Sequence, residues 1–149
     1  MQTKAIILHI INWLNDYTKK SKAKGFVIGI SGGIDSAVTS TLIAKTGMPL
    51  ICVEMPIHQD LAQVQRGIKH IKWLKENFNN VNSLNFDLTP TFDEFVSKLP
   101  RNSNTELALA NTRARLRMTT LYYISAINNY LVAGTGNKVE DFGIGFYTK

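Results

Sequence analysis

A single cysteine among 149 residues excludes a disulfide within the chain and any cysteine cage for a metal. Cys52 lies in the apolar run Leu50-Ile51-Cys52-Val53 and reads as a small core residue. No apolar run approaches the roughly 18 to 20 residues that cross a bilayer. The opening segment, MQTKAIILHIINWLNDYTKK, has the outline of a signal peptide, but His9, Asn12, Asn15 and Asp16 interrupt it and no small-residue cleavage site follows. It reads as an amphipathic helix, and the expected compartment is the cytoplasm. Acidic residues are scarce, 11 against 17 lysines and arginines, for a net charge of +6. That balance suits an anionic partner without choosing one. The cluster Lys19, Lys20, Lys22 and Lys24 is either a solvated connector or an attractor of polyphosphate or nucleic acid. A Ser-His or Cys-His nucleophilic pair is also missing from the pattern. His9 and His70 fall in amphipathic stretches as surface or boundary residues, and His58 follows a strand.

What is present is a globular composition, 44% apolar and 19% charged, enough for one core of ordinary size. Apolar residues at Ile6, Ile7, Ile10, Ile11, Trp13, Leu14 and Tyr17 recur at helical spacing, predicting a helix over 3–18. Phe26 to Ile30 is a short apolar, partly β-branched run, the mark of a strand covered on both faces. A turn over 31–35 leads to a helix over 36–45. The alternation then repeats: a strand at 49–53, a helix capped by Asp60, a weaker strand at 81–88, a short helix at 90–98, a long helix at 105–128 and a strand at 130–133. From Gly134 the chain is expected to be irregular. Strands and helices alternating with short connectors predict an α/β fold, a doubly wound parallel sheet with helices on both faces, in one domain. Ligands of such sheets sit beyond the carboxyl ends of the strands, where strand order reverses.

The first strand runs into Gly29-Ile30-Ser31-Gly32-Gly33-Ile34-Asp35-Ser36-Ala37. Paired glycines permit a sharp turn and close approach, and the amides that follow face an anion at the positive end of the next helix. Ser31 and Ser36 add hydroxyl donors. Asp35 would repel a phosphate, and makes sense as a magnesium ligand that bridges to it. No Lys-Ser or Lys-Thr pair follows the glycines, so this is not the Walker pattern. On the long helix, Asn111 and Arg115 share a face as one neutral and one cationic donor, and Arg113 and Arg117 share another. Thr135 follows the fourth strand, and Glu140 offers a second carboxylate to a metal.

The Ser-Gly-Gly-x-Asp-Ser string resembles the signature loop of the ATP pyrophosphatases, which split ATP between its α- and β-phosphates. Two further segments are similar to NAD synthetase within that superfamily. One is Asn111-Thr112-Arg113-Ala114-Arg115-Leu116-Arg117-Met118 with Leu121-Tyr122; the other is Gly134-Thr135-Gly136-Asn137-Lys138-Val139-Glu140 with Gly145-Phe146-Tyr147-Thr148-Lys149. The resemblance implies an adenine nucleotide α-hydrolase-like fold and an ammonia-dependent ligase. Such an enzyme amidates deamido-NAD with ATP through an adenylated intermediate, releasing AMP and pyrophosphate. It implies ATP contacts at Gly29, Ser31, Gly32, Gly33, Asp35, Ser36, Gln59 and Thr135. Deamido-NAD contacts follow at Tyr17, Leu107, Arg115, Glu140 and Lys149, and Mg²⁺ at Asp35 and Glu140. Glu54 stands where many relatives carry a basic residue. A homodimer is implied, with neither nucleic acid nor membrane as partner. Because the family's motif normally continues beyond the position of Lys149, the chain is expected to lack the family's C-terminal part. Another adenylating pyrophosphatase, such as a tRNA-modifying one, and a non-catalytic nucleotide-binding or dimerisation module are the alternatives.

Overall fold

A computed structural model describes residues 2–100 and 105–144. Four parallel strands, β1 (Phe26–Gly29), β2 (Leu50–Glu54), β3 (Val81–Asn85) and β4 (Leu131–Val132), lie in the order β3-β2-β1-β4. The helices are α1 (Thr3–Ser21), α2 (Ile34–Ala44), α3 (Leu61–Asn77), α4 (Thr89–Ser97) and α5 (Glu106–Asn128). Strand order reverses between β1 and β4, so the switch point lies beside the turn that follows β1. Among the described residues no helix is long and apolar enough to cross a membrane.

Period-two alternation in the strands sorts the core onto two faces. Phe26, Ile28, Ile30, Leu50 and Cys52 join Ile43 and Ala44 of α2 and Ile71 and Leu74 of α3, with Leu14 of α1 packed against them. On the other face, Val27, Val53 and Met55 meet Ile124 of α5, flanked by Ile51, Leu121 and Val132. Both faces being covered explains why β1 and β2 are nearly unbroken apolar runs. Cys52 belongs to the core as expected, and burial pushes its thiol up to about 12, so it is unreactive at neutral pH.

Local chemistry sets the element ends. Asp60 caps α3, its carboxylate accepting from the Gln63 amide at 3.1 Å. Asn129 ends α5 in the left-handed region at φ 54°, a conformation asparagine tolerates, and Tyr130 N–H then returns to the Ser125 carbonyl at 2.9 Å. The Asn129 carbonyl accepts from the Lys24 amide at 2.8 Å, which ties the end of α5 to the approach to β1.

Three elements differ from the sequence expectation. β3 stops at Asn85, opposite Glu54 where β2 ends, and β4 keeps only Leu131 and Val132, paired with Phe26 and Val27. Beyond Gly134 the chain is not wholly irregular: Val139–Ile144 closes a π-helical turn. Its start is fixed by Asn137, whose side-chain oxygen accepts from the amides of Val139 and Glu140 at 3.1 and 3.0 Å.

Candidate functional site

At the carboxyl ends of β1, β2 and β4 the structure opens a cleft of about 620 Å³. Its walls come from three directions: Gly29 to Ser31 at the end of β1, Met55 and Ile57 to Asp60 after β2, and Gly134 and Thr135 after β4. The lid side is α5, which presents Arg113, Ala114, Arg117, Met118 and Leu121. Behind the loop, a second hollow of about 400 Å³ is lined by Gly32, Gly33, Ser36, Arg66 and His70.

The loop itself is held by its own serines. Ser31 N–H donates to Ser36 Oγ at 3.3 Å, Gly33 N–H donates to Ser31 Oγ at 3.2 Å, and Ser36 Oγ donates to the Gly33 carbonyl at 3.0 Å. The two hydroxyls lie 3.2 Å apart. Hydroxyls hold these amides in a geometry where an anion oxygen can exchange for them. Gly32 has φ +80°, and a Cβ there would come within 2.2 Å of the Gln63 carbonyl on α3. The glycine is thus required by the approach of α3 as well as by the turn itself. Gly33 is extended-like at φ −94° and serves as the N-cap of α2.

Two side chains from the β2–α3 unit grip the loop from outside. Gln59 Nε2 donates to the Ser31 carbonyl at 2.9 Å, and Arg66 Nε donates to the Gly32 carbonyl at 3.3 Å. Gln59 is held in turn by Arg117 of α5, whose Nη2 lies 3.5 Å from Gln59 Oε1 and whose Nε donates to the Met55 carbonyl at 2.9 Å. Burial, reinforced by Arg113, lowers the Arg117 pKa, yet a guanidinium stays charged at neutral pH. Glu54, at the end of β2, has its carboxyl pKa raised by burial, an effect opposed by the hydrogen bond from Asn85 at 3.4 Å.

Of the two expected metal carboxylates, that of Asp35 is bonded to Asn137, which also holds the backbone of Glu140. Asn137 Nδ2 donates to Asp35 Oδ1 at 3.4 Å while Asn137 Oδ1 accepts from the Glu140 amide, so the π-helical turn is moored over the start of α2. Among the described residues no group of three or more histidine, cysteine or carboxylate side chains could hold a metal by itself.

Of the residues singled out in the sequence, Gly29, Ser31, Gln59 and Thr135 line the larger cleft. Gly32, Gly33 and Ser36 line the hollow behind it, and Asp35 meets Asn137. Tyr17 lies elsewhere, on α1 beside Trp13 at a ring separation of 5.5 Å, in a depression shared with Tyr122. Leu107 is 70% exposed on the first turn of α5, and Arg115 is exposed and does not line the cleft. Lys149 falls outside the described residues. Arg113, Arg117 and Arg66 enter the site although the sequence reading gave them no role there. For Arg117 a signal existed: it stands four residues before Leu121 and seven before Ile124, on the stripe of α5 that packs on the sheet. His58 also reaches the cleft wall, at φ 47°, with Nε2 2.7 Å from Asp93 Oδ1.

Comparison with known proteins shows the family and the fold. The family model for NAD synthase matches residues 6–149. The NH3-dependent NAD+ synthetase of Carboxydothermus hydrogenoformans is 39% identical over 149 residues, 94% of this chain and 57% of its own length. That of Mycoplasma genitalium is 41% identical over 141 residues, 93% of this chain and 54% of its own. The chain therefore spans a little over half the length of these curated relatives. Among solved structures, NMN synthetase from Francisella tularensis superposes with a TM-score of 0.89 at 31% identity, over 100% of this chain and 60% of that one. The NH3-dependent NAD synthetase of Campylobacter jejuni, in complex with a nitrate ion, gives 0.87 at 28%, over 99% and 62%. These structures share the adenine nucleotide α-hydrolase-like fold seen here, and by the family match over nearly its whole length the chain belongs to the NAD synthase family.

Proposed function

We propose that the chain is the ATP-binding part of an ammonia-dependent NAD synthetase, a cytoplasmic ligase that converts deamido-NAD, ATP and ammonia to NAD, AMP and pyrophosphate. The observation that carries this is the serine-buttressed Gly32-Gly33 loop at the switch point of the sheet, in a chain of this family. An oxygen of the pyridine carboxylate attacks the α-phosphorus of ATP, the bond from that phosphorus to the β-bridging oxygen breaks, and pyrophosphate leaves. Ammonia then adds to the acyl carbon, a proton is lost, and AMP departs where hydroxide could not. Neither step asks for a protein nucleophile. The protein's share is positioning and charge neutralisation.

In this reading the loop amides and the hydroxyls of Ser31 and Ser36 take the departing pyrophosphate, with Gly29, Gln59 and Thr135 around the nucleotide. Asp35 and Glu140 would hold Mg²⁺, and their donor chemistry fits it: carboxylate oxygens suit a hard cation that takes its remaining ligands from phosphate and water, and Asn137 ties the Asp35 carboxylate to the backbone turn that carries Glu140. When bound, the ion would neutralise charge on the phosphates. Tyr17, Leu107, Arg115 and Lys149 are assigned to deamido-NAD. Since Tyr17, Leu107 and Arg115 stand outside the cleft, the dinucleotide would span from it towards α1 and the outer face of α5. That face carries Tyr122, Tyr123 and Ile127 at 60%, 68% and 65% exposure, which favours a homodimer built on α5.

Isothermal titration with MgATP, followed by chromatographic assay of AMP and NAD with deamido-NAD and ammonium present, tests the reading. ATP should bind saturably, Asp35→Ala should abolish the magnesium dependence, and AMP and NAD should appear in equal amounts. Binding without turnover would favour the nucleotide-binding module. AMP release requiring tRNA would favour a tRNA-modifying enzyme. No ATP binding at all would remove the reading.

A further inference from the structure

Two consecutive peptide planes of the phosphate loop are pinned by their carbonyl ends. Gln59 Nε2 holds the Ser31 carbonyl and Arg66 Nε holds the Gly32 carbonyl, both from the β2–α3 side. In a trans peptide the C=O and the following N–H point in opposite directions. Fixing the Ser31 carbonyl therefore fixes the direction of Gly32 N–H, and fixing the Gly32 carbonyl fixes that of Gly33 N–H. The second amide bears this out: it turns away from Arg66 to meet the hydroxyl of Ser31, a residue that lines the larger cleft. Gly32 is the residue most free to rotate its plane, since its φ of +80° lies where glycine alone is unstrained. Without an external hold these are the peptides most liable to flip.

Gln59 could not hold the loop unaided, because it sits on an irregular connection. Its amide is oriented by Arg117, which reaches from α5 with a forked contact to the Met55 carbonyl and Gln59 Oε1. The fork fixes which end of the Gln59 amide faces the loop: the oxygen receives Arg117, so the nitrogen is left to donate to Ser31. A chain of hydrogen bonds thus runs from α5 to the turn after β1.

We infer that Gln59, seated by Arg117, and Arg66 are positioning residues that aim the Gly32 and Gly33 amides at the pyrophosphate of the nucleotide. This rests on the ATP reading of the loop and adds to it how the loop is preorganised. Gln59 then acts through the loop in addition to any contact of its own with ATP. The arginines serve by geometry, through bonds to carbonyl oxygens, and their charge is secondary.

The test uses inorganic pyrophosphate and MgATP as probes in titrations of the 149-residue chain, together with amide nitrogen–proton spectra of the ligand-free protein. Arg117→Met, Arg66→Met and Gln59→Leu should each shift the Gly32 and Gly33 amide signals and leave those of Phe26 to Ile28 in place. Each should weaken pyrophosphate binding by about fivefold, the worth of one net hydrogen bond. Arg117→Lys and Arg66→Lys, which keep the charge and guard against misfolding of the methionine variants, should be impaired to the same degree, because an ammonium at the end of a flexible stem reproduces neither the fork of Arg117 nor the Nε contact that Arg66 makes from the side of its guanidinium. The Arg117→Met/Gln59→Leu pair should be no worse than Gln59→Leu alone, since the two act in series. Full affinity in the lysine variants would reduce the arginines to electrostatic attraction and overturn the proposal, as would unmoved glycine amides. If the parent chain binds neither probe while the glycine amides still respond to the substitutions, the positioning role stands and the ATP reading falls.

Discussion

Gly32 and Gly33 are neighbours in the sequence and do different work. Alanine at Gly32 has to adopt a left-handed φ and place its Cβ 2.2 Å from the Gln63 carbonyl, a backbone atom that yields only if α3 shifts. Gly32→Ala should therefore cost about 2 kcal/mol or more and lower the thermal midpoint measured by circular dichroism. Gly33→Ala meets only the Ser31 hydroxyl, at 3.3 Å, and has no left-handed requirement. Its thermal midpoint should stay close to that of the parent, with the loss confined to anion binding.

Two titrating groups give opposite pH signatures. Burial lowers the His70 pKa from 6.5, and the buried Ser40 hydroxyl lies 2.8 Å from its Nε2. The unfolded chain binds that proton more readily. His70 therefore contributes stability that is present above pH 6.5 and is lost as the pH falls through its lowered folded value. Glu54 runs the other way. Its raised pKa means the folded state prefers the neutral acid, so stability declines as the pH rises above 4.5 towards the folded value. Glu54→Gln should raise the thermal midpoint at pH 7 and leave it unchanged near pH 4, and a midpoint insensitive to the substitution at pH 7 would contradict this. Glu54 was visible in the sequence as an acid closing an apolar strand. Its half-buried setting against Asn85 was not, because that partner comes from a different strand.

At the scale of elements, α3 carries two separable contributions. Asp60→Ala removes the cap bond to Gln63 and should cost about 1 kcal/mol. Leu74→Ala removes a side chain with 0% exposure and should cost about 2–5 kcal/mol, read from urea unfolding. Both features were legible beforehand, since a cap and an apolar stripe are local patterns. The π-helical turn Val139–Ile144 was not. It depends on Asn137 accepting two amides while donating to Asp35, more than a hundred positions earlier in the chain. Helix α5 shows the same division: its span was expected at 105–128 and is Glu106–Asn128, while its cleft-facing arginines emerged only when Leu121 and Ile124 were seen to lie on the sheet.

The whole molecule leaves apolar side chains on α1 and α5 uncovered, among them Trp13, Tyr17, Tyr122, Tyr123 and Ile127. If α5 forms the proposed homodimer, Tyr123→Glu with Ile127→Glu should shift the mass measured by light scattering from dimer to monomer. The same substitutions should leave MgATP binding within about twofold, because neither side chain lines the cleft. A parent chain that is already monomeric would remove that interface.

By itself the sequence determined the alternation of elements, the two-sided burial of β1 and β2 and the position of the glycine turn after β1. These are local matters, written in apolar period, caps and a contiguous string from Gly29 to Ala37. Only the tertiary structure decided which groups hold that loop. Strand order brings the β2–α3 connection alongside it, and α5 folds back over both. Gln59 and Arg66 meet the loop across 28 and 34 residues, Arg117 meets Gln59 across 58, and no local pattern encodes a contact that depends on how a sheet is ordered.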